Sequence, residues 1–193
     1  MNWEIRPMRA YDIPALVSII DRVVTETPAY LSHGDMQTGI ALHREQFNPQ
    51  RGDYWRGHML VTLGTYPQGN FVAQREDGAF AGFILTSVQR ISDPYLEFGV
   101  LEDFCVLPEH RGLGIGQRLL MLAITQLKID RIQRVFFESG VQNALVHERM
   151  QEIGFQPVSV TFMAHTETLS VGKWKHRRKS GTHLERMKGT TRS

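Results

Sequence analysis

Apolar residues recur at Ile13, Leu16, Val17, Ile20 and Val24, the one-face spacing of an amphipathic helix, with Asp12 in the position of an N-terminal cap. Before it, Trp3–Arg6 alternates and predicts a strand closed by Pro7. A second helix is expected over about Asp35–Phe47, followed by a polar loop, Asn48–Asp53. Over Tyr54–Leu63, Trp55, Met59, Leu60 and Leu63 fit a short helix better than a strand. Asn70–Arg75 and Ala79–Ser87 flank Glu76-Asp77-Gly78 and predict a hairpin. Pro94 marks the loop before a long strand, about Tyr95–Leu107.

After a run of glycines, Leu119, Leu120, Leu122, Ala123 and Leu127 give one broad apolar face, which must pack on a sheet. A strand over Val135–Glu138, a helix over Gln142–Ile153 with Gly154 as its C-terminal cap, and a last strand over Val158–Ala164 complete the pattern. Strands joined first as a meander and then through helical crossovers predict a mixed α/β sheet.

Composition narrows the class. With 193 residues, 41% hydrophobic and 22% charged, the chain fits one globular domain with a sizeable core. It has no apolar run of membrane-spanning length, and Asn2, Glu4, Arg6 and Arg9 stand where a signal peptide is apolar, so a cytoplasmic protein with no membrane partner is expected. One cysteine, Cys105, excludes an intramolecular disulfide, and no cluster of His, Cys, Asp or Glu has metal-ligand spacing. The net charge of +2 is uneven: residues 171–193 hold eight Lys or Arg and one Glu, which leaves the first 170 residues at −5. The expected organisation is a domain over residues 1–166 and a basic extension over 167–193, with Lys173–Lys179 available to an acidic partner.

The chemistry concentrates at residues 101–120, where an apolar strand runs through a Pro-containing turn into Arg111-Gly112-Leu113-Gly114-Ile115-Gly116 and then a helix. Glycines lacking Cβ let a ligand approach the backbone, and the first helical turn offers unpaired N–H groups at the positive end of its dipole, so the expected guest is a diphosphate. A lysine-bearing phosphate loop is excluded, because Gly116 is followed by Gln117 and Arg118. A dinucleotide fingerprint lacks its third glycine: the sixth position is Gln117 counted from Gly112 and Leu119 counted from Gly114, although Glu138 imitates the acid such folds carry.

The pattern that remains, Arg/Gln-x-x-Gly-x-Gly/Ala, resembles the GNAT superfamily of N-acetyltransferases. Asn143 precedes Gly154-Phe155 at the spacing of that family's second signature, and Ile5-Arg6-Pro7 with Asp12 is similar to its opening strand and first helix cap. The three matches, in order, cover roughly residues 3–165. The resemblance implies a single-domain α/β fold with a mixed, mostly antiparallel sheet whose central strands splay apart, flanked by helices. It also implies acetyl-CoA as co-substrate, with the diphosphate on Arg111, Gly112, Leu113, Gly114, Ile115, Gly116 and Gln117. The pantetheine arm would lie along the backbone of Phe104, Cys105 and Val106, and Asn143 belongs to the same site.

Within the family, Leu101-Glu102-Asp103-Phe104 looks much like the strand of polyamine acetyltransferases, where an acid contacts the cationic substrate or relays its proton. Adjacent strand residues face opposite sides, so one of the two acids is expected in the cleft, and Glu102 is the candidate. The tyrosine that protonates the departing thiolate in the family falls at Met150, and position 149 is Arg149. His147 shares a helical face with Asn143 and Met150 and is the candidate donor. Cys105 reads as a small core hydrophobe and not as an acyl carrier.

The expected function is therefore transfer of an acetyl group from acetyl-CoA to a primary amine of a small molecule or peptide. Two alternatives stay open: an acetyltransferase directed by the basic tail to an RNA-associated or ribosomal substrate, and a coenzyme A-binding module without turnover. A homodimer is compatible with the chain. The acceptor pocket is expected from about Ala29–Asp53.

Overall fold

The computed structural model describes residues 3–43, 46–91, 96–164 and 166. Pro94, Tyr95 and the basic tract Lys173–Lys179 lie outside the described residues. Residues 1–158 form one compact unit, to which the following description applies.

β1 (Trp3–Pro7) leads through a short turn into α1 (Ile13–Glu26), which buries Leu16, Ile20, Val23 and Val24 on one side. Asp12 does precede this helix, but its carboxylate makes no cap hydrogen bond to α1. It accepts from the Arg9 backbone N–H at 2.9 Å and from two Arg6 guanidinium nitrogens at 2.8 and 2.7 Å. The buried acid ties the end of β1 to the turn that launches α1, and Asp12 holds the Arg6 guanidinium more firmly protonated than usual.

The long second helix expected over Asp35–Phe47 does not form. α2 (His33–Gln37) is a single turn, ended at Gly39, whose φ of 80° only glycine adopts without strain. The chain then turns into a small hairpin, β2 (Ala41–His43) paired with β3 (Gln46–Phe47). α3 (Arg51–Thr65) follows, longer than the sequence suggested, with Trp55, Met59 and Thr62 buried.

β4 (Phe71–Arg75), β5 (Phe80–Arg90) and β6 (Glu97–Val106) form an antiparallel meander. α4 (Ile115–Ile129) crosses over to β7 (Val135–Phe137), which pairs parallel with β6, and α5 (Ala144–Glu152) follows. The five-stranded order is β1-β4-β5-β6-β7. β5 is buried on both faces: Phe83 and Leu85 meet α1 and α3, while Ala81 and Ile84 meet α4. At Gly99 the approach of α4 is so close that a Cβ would stand 2.8 Å from Leu127 Cδ2.

Gly154, with φ of 107°, stops α5, and Phe155 N–H returns to Met150 O at 3.0 Å. The last strand expected over Val158–Ala164 is not formed among the described residues; that segment has no regular structure. Its alternation supplied a strand pattern, but a strand also needs a neighbour to receive its N–H and C=O groups.

Candidate active site

Two departures from regular strand geometry build the site. The first is a bulge in β6. Leu85 pairs with Asp103 while Thr86 pairs with Leu101, so Glu102 is an extra residue without a partner across β5. Gly99 and Leu101 face α4, whereas Cys105 joins the core under α1 and α3. The bulge is where the strand changes face, and it turns two consecutive acids toward the same side. Glu102 accepts a hydrogen bond from Ser87 Oγ, and Asp103 Oδ2 lies 3.6 Å from His58 Nε2 of α3. The expectation that only one of the pair enters the cleft is therefore corrected: strict alternation fails at a bulge.

The second departure is the split between β6 and β7. Pairing covers only Gly99, Val100 and Leu101 against Val135, Phe136 and Phe137. Beyond Leu101 the strands part, and a cavity of about 530 Å³ opens between them and runs under α1, α2 and α3. Phe104, Cys105, Val106, Arg111 and Asn143 line it, as do both bulge acids. Arg111 leans back over the strand end: its Nε donates to Val106 O at 3.0 Å and its Nη1 to Tyr30 Oη at 3.0 Å, with the guanidinium carbon 5.5 Å from the Tyr30 ring centre. Asn143 Nδ2 donates to Ser139 Oγ at 3.1 Å.

The glycine loop sits at the mouth of the split. Gly112 and Gly114 have φ of 77° and 75°, and a Cβ at either would meet nothing within 4 Å. The conformation, not crowding, demands glycine there, and the space in front of the turn is open. Gly114 is the N-terminal cap of α4, whose first helical hydrogen bond, Arg118 N–H to Gly114 O, leaves the preceding amides of Ile115, Gly116 and Gln117 directed outward. At Gly116 a Cβ would stand 3.1 Å from Phe104 Cζ, so this glycine lets the helix pack on the strand. Ile115 is buried and Leu113 exposed. The donors and the open turn fit a diphosphate.

Electrostatically the cavity is acidic. Asp35, Glu102, Asp103 and Glu138 all line it. Burial raises Asp103 to about 7, opposed by His58 and reinforced by the charges of Asp35 and Glu102. Its Oδ2 is buried without a hydrogen-bond partner. Asp35 is also raised, chiefly by burial, although it accepts the Ser32 backbone N–H at 2.8 Å. Glu138 clasps α2 from the far side, accepting from Gly34 N–H at 2.9 Å and pairing with His33 Nδ1 at 2.6 Å. Burial, with Asp103 adding to it, pushes the Cys105 thiol up to about 12, so it is held as a neutral thiol.

His147 is half-buried and is not among the residues lining the cavity. Met150 is buried in the core beneath α4. The shared helical face expected for Asn143, His147 and Met150 does not bring the three to one place: Asn143, just before α5, and Leu145 and Val146 on its first turn line the cavity, while Met150 turns inward. Tyr30 and Asp35 lie in the stretch Ala29–Asp53 expected to form the acceptor pocket, though no motif singles either out; in the sequence Glu138 reads only as an imitation of a dinucleotide-site acid, and nothing marks His58 as a site residue.

A split sheet beside a glycine-rich turn at a helix start has room for an extended ligand with an anionic end. The family described as Acetyltransferase (GNAT) matches residues 37–155, and the chain belongs to that family. Mycothiol acetyltransferase of Paenarthrobacter aurescens (strain TC1) is 24% identical over 132 residues, 66% of this chain and 41% of that protein, so the chain spans well under half of this relative. Among solved structures, PH1933 of Pyrococcus horikoshii OT3 is similar with a TM-score of 0.61 at 20% identity, covering 83% of this chain and 93% of that one. A predicted acetyltransferase of Clostridium acetobutylicum, solved with acetyl-CoA, gives 0.62 at 16% identity over 85% of this chain and 96% of that one. These likenesses share the mixed, mostly antiparallel sheet and its flanking helices.

Proposed function

We propose that this protein transfers the acetyl group of acetyl-CoA to a primary amine of a small molecule or peptide, and that Asp103 takes the amine proton. The observation that carries the reading is the opening of the β6–β7 split, with its glycine cradle, into a cavity lined by Asp103, whose buried Oδ2 has no hydrogen-bond partner. Acetyl-CoA, when bound, supplies a thioester carbonyl. The amides of the Arg111–Gln117 loop and the start of α4 hold its diphosphate, and the unpaired edge of Phe104–Val106 receives the arm that follows.

An amine arrives as an ammonium ion and must lose a proton before it attacks. Glu102, fixed by Ser87, and Asp35 attract the cation into the cavity. Asp103, raised to about 7 by burial, accepts a proton near neutrality far better than an ordinary carboxylate, and His58 favours its charged form. Glu102 therefore holds the cation and Asp103 is the base. Incubation with acetyl-CoA and a panel of amines tests the reading: release of free thiol with at least one amine is expected, and none above background with any of them sinks it. A cytoplasmic location is part of the proposal. So is an acidic partner for the basic tract at 173–179, whose removal with residues 171–193 is expected to leave acetyl-CoA binding intact.

A further inference from the structure

Asp103 must lose, before each new turnover, the proton it has taken from the amine, and with both substrates bound the cavity on its inner side is filled. We infer that His58 carries that proton from Asp103 to solvent at the start of α3; the inference rests on the acetyl-transfer reading above.

Three observations carry it. His58 Nε2 lies 3.6 Å from Asp103 Oδ2, a buried oxygen with no hydrogen-bond partner. The histidine is the more open of the two, its side chain 39% exposed against 16% for Asp103. It also stands in the wall between two spaces: it lines the active-site cavity, and with Gln50, Asp53, Tyr54 and Gly57 it lines a second, more open depression at the start of α3. Among the described residues Tyr54 is the other side chain common to both spaces. A phenol ordinarily ionises near about pH 10 and passes protons poorly at neutrality, whereas an imidazole accepts on one nitrogen while it donates from the other.

Acidic groups stand on both sides of the ring and stabilise it while it is charged: Asp103 and Asp35 on the cavity side, and in the depression Asp53, which is itself paired with Arg56. The 3.6 Å separation exceeds a transfer distance of about 3 Å, and a small turn of the Asp103 carboxyl closes it.

The step balances. The ammonium ion gives one proton to the Asp103 carboxylate, and its nitrogen bonds to the thioester carbon. The carbon–sulfur bond breaks with its electron pair on sulfur, and the nitrogen's second proton is matched by the one that sulfur gains. The net reaction thus releases one proton, the one held by Asp103. His58 Nε2 accepts it while Nδ1 gives its own proton to water, and Asp103 is again a carboxylate. His58 acts through Asp103 and touches neither substrate, so it is a positioning and relay residue.

The test is His58→Ala, followed as free-thiol release with the amine that the wild-type protein turns over fastest. Expected is a fall in kcat of about 10- to 100-fold with the amine KM and the dissociation constant of coenzyme A unchanged. Added imidazole is expected to restore kcat at least about fivefold, and pyrazole, of the same shape but a far weaker base, to restore none. His58→Gln, which keeps the wall filled, is expected to lose as much, and Tyr54→Phe less than about twofold. An unchanged kcat in either His58 variant, equal rescue by imidazole and pyrazole, or no rescue at all overturns the relay. If the wild-type protein releases no thiol with any amine, the transfer reading itself falls, and this step with it.

Discussion

Asp103 Oδ2 and His58 Nε2 stand 3.6 Å apart, one beside the bulge in β6 and the other on α3, and this contact sets the acid next to the bulge against a helix that lines the cavity. The carboxylate is otherwise short of partners, which makes it costly to the fold and useful to the chemistry.

Asp103→Asn keeps the shape and removes the base, so kcat is expected to fall about 100-fold or more. Stability moves the opposite way. A carboxyl whose folded pKa is raised binds its proton more tightly in the native state, so its favourable contribution is present below the ordinary value of about 4 and is lost as pH rises through about 7. The Asn variant lacks that loss. Thermal melts at pH 5 and pH 8 are expected to show the variant gaining on wild type at the higher pH; an advantage that shrinks between the two would contradict the burial of this charge.

Ser87→Ala removes the hydroxyl that holds Glu102 while leaving β5 intact. The amine KM is expected to rise about three- to tenfold with little change in that for acetyl-CoA, because one charge-assisted hydrogen bond is lost from the cation side only. Initial rates with each substrate varied in turn distinguish this from a general defect.

At the cradle, Gly114→Ala adds a methyl group that meets nothing, yet forces a left-handed φ of 75° on a residue with a Cβ. A cost of about 1–2 kcal/mol is expected. Relaxing that strain moves the first amides of α4, so acetyl-CoA affinity should drop at least about tenfold. Isothermal titration with coenzyme A reads it, and undiminished affinity would place the diphosphate elsewhere.

Cys105→Ala should retain most of the activity, and the native thiol should react with Ellman's reagent at pH 8 about 100-fold or more slowly than the unfolded chain, since a thiol pushed up to about 12 carries almost no thiolate there. A fast native reaction, or a dead Ala variant, would revive an acyl-cysteine route.

Asp12→Ala takes the paired carboxylate from the half-buried Arg6 guanidinium, which keeps Gln74 Oε1, and frees the Arg9 amide. The expected loss is about 3 kcal/mol in urea unfolding, with the active-site constants unchanged in the folded protein.

The elements bounded by strong local signals were legible. The period of Ile13, Leu16 and Ile20 gave α1, the Asp77-Gly78 turn gave the β4–β5 hairpin, and the apolar run from Leu119 to Leu127 gave α4. The segment 35–47 misled, because its apolar residues fit a helix on paper while Gly39 breaks the chain into a turn and a hairpin. The strand pattern over 158–164 had the right alternation but forms no strand among the described residues.

By itself the sequence determined the family and the glycine cradle, because a turn needing left-handed residues before a helix is a local requirement that spacing expresses directly. Only the tertiary structure decided which acid is buried. A bulge is a property of two strands in register, and nothing in Leu101-Glu102-Asp103-Phe104 read alone states that Thr86 will pair with Leu101 while Leu85 pairs with Asp103. The same holds for His58, Asp35 and Tyr30: they come from segments far apart in the chain, and the split between β6 and β7 is the space in which their charges and hydroxyls meet.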